Sequence, residues 1–170
     1  MVPIEKRFAA LCQITRAQHF AWREAVAATC PGVDPGQVVM AMWRVTGRQT
    51  AEAYLPRLDR ARPLAPQIAD CIAWSSQAMG EDAVAEPGAS ADQALLRHRA
   101  CPWNDWHRRK GLAAECRPGC DAWFESILAE LSARTGQPLA FVTLEALPEG
   151  GSCCLRRIGP DPNCASSALP

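Results

Sequence analysis

The sequence predicts an α+β fold: a helical N-terminal half, then a small antiparallel sheet packed against a long helix. Three observations predict it. Apolar residues in the first 79 positions recur at steps of three and four, the period of a helix face. A second, wider helical stripe spans Asp121–Arg134, and strand-forming runs at Leu139–Leu144 and Ser152–Ile158 flank the turn Pro148-Glu149-Gly150-Gly151. Helices and strands are segregated along the chain, which favours α+β over alternating α/β.

The elements follow in order. Residues 5–29 read as one amphipathic helix with Phe8, Cys12, Thr15, His19, Trp22 and Val26 on its inner face. Pro31-Gly32 breaks it. Asp34 caps a second helix with Pro35 at its first position; it carries Val38, Val39, Met42 and Trp43, weakens at Gly47 and ends near Pro56. A third helix follows Pro63, with Leu64, Ile68, Cys71, Ile72, Ser75 and Met79 inward. Residues 80–93 are rich in Gly, Pro, Ala and Asp and read as a loop or an irregular edge strand. Ala94–Ala100 is a short strand feeding Cys101-Pro102-Trp103, and a short helix over Asn104–Leu112 has Asn104 as its cap. Pro118-Gly119 breaks the chain before the long helix, and Gly136 stops that helix. Residues 1–160 form one domain, and 161–170 a loose tail.

Composition excludes several classes. With 48% hydrophobic residues in 170, the chain buries a core and is not mainly disordered. No stretch approaches the roughly 18 uninterrupted apolar residues of a spanning helix, so no membrane partner is expected. Eighteen basic residues balance eighteen acidic ones with no basic stripe, which argues against nucleic acid. The first residues show no secretory pattern, so the expected location is cytoplasmic and the nine cysteines are expected to be mostly free thiols.

Polar chemistry concentrates between His98 and Cys120, with a second cluster at Cys153-Cys154. A metal reading takes Cys116 and Cys120 as ligands on a bent loop, joined by Cys101 or His107 and by Cys153 or Cys154. The metal would be a transition metal such as zinc, although no Cys-x2-Cys is present. A nucleophile reading takes Cys101, placed before Pro102 and a helix start whose dipole favours the thiolate, with His98 or His107 as base. Cys116 and Cys120 are alternative nucleophiles, Cys120 by the same dipole argument. Trp103 and Trp106 flank this segment and wall a ligand pocket. One of Arg156 and Arg157, which a strand points to opposite faces, meets a ligand carboxylate. Against these stands burial: free cysteine is commonly a small core hydrophobe. Cys12 and Cys71 are assigned to the core. His19 is read as a core histidine bonded to an acceptor, or as lining a pocket between helix and sheet.

Cys101-Pro102-Trp103, Cys116-x3-Cys120, the helix Asp121–Arg134, the strand Leu139–Leu144 and Gly150-Gly151-Ser152-Cys153-Cys154 occur in an order that resembles the L-2-amino-thiazoline-4-carboxylic acid hydrolase-like domains. The likeness is close over residues 101–154 and loose over the helical half. It implies a small cytosolic hydrolase that opens a sulfur- or nitrogen-containing heterocyclic carboxylate at a carbon–nitrogen bond. Cys101 or Cys116 would be the nucleophile and His107 or His98 the base, or a metal-activated water would attack. The same order is similar to vinyl-reductase-type domains, which implies instead a non-catalytic small-molecule or metal sensor. A third reading is a structural subunit whose cysteines are all core.

Overall fold

In the computed structural model, residues 2–163 are described. Five helices, α1 (Ile4–Thr29), α2 (Pro35–Tyr54), α3 (Leu64–Gln77), α4 (Pro102–Arg109) and α5 (Ala113–Thr135), accompany four strands. The strands are β1 (Asp82–Pro87), β2 (Ala94–Ala100), β3 (Leu139–Glu145) and β4 (Cys154–Pro160). They form one antiparallel sheet in the order β1-β2-β4-β3. The fold is α+β with a helical N-terminal half. No helix among the described residues is long and apolar enough to cross a membrane. Cys164 and most of the expected tail lie outside the described residues.

Strand register decides what faces inward. His98 pairs with Cys154, Leu96 with Arg156 and Ala94 with Ile158, so all six side chains share one face. The lower part of that face, with Leu96 and Ile158, closes on Ile68 and Ile72 of α3 and on Phe124, Ile127, Leu128 and Leu131 of α5. The upper part carries His98, Cys154 and Arg156, and there the layers stay apart.

Several elements differ from expectation. Residues 82–87 form a true edge strand, with a register shift between Asp82 and Ala83. Asn104 is not the cap of α4; Cys101 is, without a side-chain bond, and Pro102 takes the first position. Pro118-Gly119 does not break the chain. α5 starts at Ala113 and runs through it, because Pro118 and Ala114 both lie on the exposed side, where water can solvate the carbonyl that Pro118 leaves without a donor. Gly47 does not weaken α2. A Cβ there would stand 2.7 Å from the Trp123 carbonyl oxygen, so the glycine lets α2 lie directly on α5.

The largest correction concerns α1. Cys12, Arg16 and Phe20 are its buried residues, whereas Phe8, Thr15 and Trp22 face solvent. The body takes a polar residue, Arg16, whose Nη1 donates to the Met79 carbonyl at 2.8 Å. Periodicity alone therefore selected the more apolar side of the helix. Cys71 is half-buried rather than core, at the rim of the α3 stripe.

Candidate functional site

A cavity of about 340 Å³ lies between the upper half of the sheet and helices α2 to α5. Trp43, Trp103, Trp123 and Phe124 supply flat apolar walls, and Met79 adds a flexible one. Its size sits at the small end of the roughly 300–1,000 Å³ found for small-molecule pockets.

One corner is polar. The His98 Nε2 is 3.0 Å from the Ser76 Oγ and 3.6 Å from the Glu81 Oε2. The His98 Nδ1 is buried with no partner. Burial pushes the Glu81 carboxyl up to about 7, against the opposing pull of Arg16, a Trp103 side-chain hydrogen bond and Arg156. Burial and then the Arg156 charge hold His98 down to about 4, so its imidazole is neutral at pH 7. Ser76, a neutral imidazole and a carboxyl that titrates near neutrality thus share one spot in an apolar chamber.

A fixed cation borders the same chamber. Arg156 is 2% exposed, donates from Nη2 to the Asp121 Oδ1 at 2.8 Å, and lies 4.5 Å from the Phe124 ring centre. Its Nε has no partner. Asp121 also accepts from the Arg117 Nε at 3.2 Å, and Arg117 in turn pairs with Glu149. This chain of charges ties α5 to the turn before β4.

The thiols behave otherwise than the nucleophile reading requires. Cys101, Cys116, Cys120 and Cys154 all line the cavity. Burial raises Cys101 far above an ordinary thiol, Cys116 to about 12 and Cys120 to about 11. Burial outweighs the helix start at Cys101, so these are neutral thiols at pH 7. Because α5 begins at Ala113, Cys120 lies well inside the helix and loses the dipole argument altogether. His107 also lines the cavity, but its Nδ1 donates to the Trp103 carbonyl at 2.8 Å and burial lowers its basicity.

Not every expected residue converges here. Trp106 is outside, stacked on Phe20 with centres 5.6 Å apart and donating to Gln13. Arg157 lies on the opposite, exposed sheet face. Cys153 sits in the bend just before β4 and turns away from Cys154; its Sγ is 3.5 Å from both Arg97 Nη1 and Glu145 Oε2. The proposed ligand set of Cys116, Cys120, Cys153 and Cys154 is therefore split. Among the described residues no three metal-ligating side chains are grouped to hold an ion. His19 has an unpartnered, buried Nε2 and packs against Trp43 and Trp103 behind the chamber wall.

Sequence reasoning missed Ser76, Glu81, Trp43 and Trp123. Glu81 follows Gly80 in a stretch whose composition reads as loop, and only the turn into β1 carries it inward. Trp43, already placed on the second helix, carried a usable signal, and so did Trp123, which falls within the apolar stripe of Asp121–Arg134.

No family model and no curated protein matches the chain. Its fold is similar to a trafficking protein particle complex subunit 3 from Naegleria fowleri, in a crystal structure where that protein is covalently bound to palmitic acid. The TM-score is 0.58 at 10% identity, covering 90% of this chain and 96% of that one. It is also similar to the phenol-responsive sensory domain of the transcription activator PoxR, solved with phenol, with a TM-score of 0.53 at 17% identity over 86% of this chain and 74% of that one. These likenesses describe a shared fold.

Proposed function

We propose that this chain is a small-molecule-binding domain of the sensing kind, and that its ligand is a compact aromatic carrying a hydroxyl. One observation carries the reading: an aromatic-walled chamber of about 340 Å³ with hydrogen-bonding groups gathered at the Ser76–Glu81–His98 corner. Flat walls gain most from a flat ligand. A buried polar corner rewards a ligand that supplies a partner and penalises one that does not. The binding of phenol by the PoxR domain of similar fold supports the same class. The neutral thiols weigh against covalent attachment of an acyl chain, which needs a thiolate.

The test is calorimetric titration of the protein with phenol, toluene and palmitate. Phenol is expected to bind at one site and to outbind toluene by tenfold or more, the value of about one buried hydrogen bond. Equal affinity for phenol and toluene, or binding of palmitate alone, overturns the reading.

A second reading, hydrolysis of a heterocyclic carboxylate, is favoured by Glu81 titrating near pH 7 beside the buried Arg156 guanidinium. There Arg156 would hold the carboxylate and Glu81 would move the proton. Ring opening of a thiazoline carboxylate at its carbon–nitrogen bond, read by mass spectrometry as addition of one water with release of a primary amine and lost in Glu81→Gln, supports that reading; no ring-opened product removes it.

A further inference from the structure

The outward face of α1 has no role in the chamber, and its pattern is regular. Starting at Ile4 and stepping alternately by four and three residues to Thr29, every position reached is exposed. Alternation of four and three is the seven-residue repeat of a left-handed coiled-coil seam. The apolar members are large and open: Ile4 is 69% exposed, Leu11 62% and Trp22 45%. With Phe8 and the neighbouring Ile14 they leave five large apolar side chains exposed along one side of α1, interrupted only by Thr15 and Gln18. Residues 4–11 are exposed at every position, so the first two turns of the 26-residue helix project beyond the body. An isolated helix segment of that length is marginal in water without a packing partner.

We infer that α1 is the interface of a homodimer, in which it packs antiparallel against α1 of a second copy. The seam is self-complementary, which selects a second copy of this chain as its occupant. An antiparallel two-fold centred between Thr15 and Gln18 sets Phe8 against the partner's Ala25 and Leu11 against the partner's Trp22. It sets Thr15 against the partner's Gln18. Large side chains meet smaller ones, and the two polar positions meet each other. On the flank, Ile14 meets the partner's Ala21, and Arg7 is the one charge on that side of the seam, facing the partner's Ala28. A parallel pairing would oppose Trp22 to Trp22 and Phe8 to Phe8. The isologous arrangement closes on itself, as two-fold dimers must, and it lays each projecting N-terminal end along the partner's helix. Each copy contributes its own stripe, so the pair buries on the order of 1,000 Å² in total, the lower bound for a specific interface.

The experiment is sedimentation equilibrium on the full chain at about 1 to 100 µM, without ligand. The expected result is a dimer mass, lost in Leu11→Glu and in Ala25→Glu and retained in Lys6→Glu, with unchanged helical circular dichroism in all three. Orientation is read by mild oxidation in a Cys30→Ala background. Phe8→Cys with Ala25→Cys gives a cross-linked dimer, and Phe8→Cys alone does not. A monomer at every concentration overturns the inference, as does a dimer that survives both glutamate variants, or cross-linking by Phe8→Cys alone. Flotation of the monomeric chain with phosphatidylcholine vesicles would assign the stripe to a lipid surface instead and equally overturn it.

Discussion

The Glu81 Oε2 lies 3.6 Å from the His98 Nε2 inside the chamber, yet burial disfavours the charged form of each group rather than pairing them as ions. The two shift in opposite directions, and stability inherits both. Glu81 has a folded value near 7 against an ordinary 4.5, so between those pH values the folded state holds a proton that the unfolded state has released. Its contribution falls as pH rises through the window. His98 and His19, both near 4 when folded against an ordinary 6.5, add stability as pH rises from about 4 to 6.5.

Glu81→Gln removes the first effect and leaves the second. Relative to the wild type, the variant should gain stability between pH 5 and pH 8, by about 3 kcal/mol at most. Urea unfolding at pH 5, 6.5 and 8 measures it. Parallel curves for the two proteins would show that Glu81 is ionised throughout.

The Arg156–Asp121 pair is asymmetric, because Arg156 is sealed while Asp121 reaches solvent and keeps Arg117. Asp121→Ala strands a buried cation and should cost about 3 kcal/mol or more. Arg156→Met leaves a carboxylate that still has water and a partner, and should cost less. Thermal unfolding of the two variants orders them; the reverse order would mean that the guanidinium acts chiefly through packing on Phe124.

Neutral buried thiols should react slowly. With iodoacetamide at pH 7.5, Cys30, which is exposed, should be carbamidomethylated before Cys101, Cys116 and Cys120. Peptide mass spectrometry at timed quenches reads the order. Fast modification of Cys101 would restore the nucleophile that the resemblance implied.

Gly47→Ala tests the close packing that shapes the chamber. The added methyl meets the Trp123 carbonyl oxygen at 2.7 Å and the Ser126 Cβ at 2.8 Å, and backbone cannot yield cheaply. A loss of about 1–3 kcal/mol is expected. An unchanged midpoint in denaturant would mean that α2 shifts freely on α5.

Much of this architecture is legible in the sequence because periodicity is a local property. The stripes of α2, α3 and α5, the cap at Asp34 and the strand runs of β3 and β4 all rest on residues a few positions apart. The placing of Cys101, His98, Cys116 and Trp103 at one site followed from their sequence neighbourhood. What failed depended on distant partners. α1 buries Arg16 because Met79 offers it a carbonyl, and nothing near Arg16 signals that. Pro118 reads as a breaker unless the helix is known to begin at Ala113. Glu81 enters the site only through the turn from α3 into β1, where its N–H donates to the Ser76 carbonyl at 3.1 Å. Cys153 and Trp106 are adjacent to the site in sequence and are turned away from it by the bend before β4 and by helix phase.

On the proposed function, the aromatic-walled chamber takes a hydroxyl-bearing ring at the Ser76–Glu81–His98 corner. The most direct measurement is phenol titration of the wild type and of Ser76→Ala by calorimetry, with thermal unfolding to confirm that both are folded. Saturable one-site binding, weakened about tenfold by Ser76→Ala with little change for toluene, is the predicted result. No heat and no rise in unfolding temperature with phenol at millimolar concentration, on a folded protein, would contradict it.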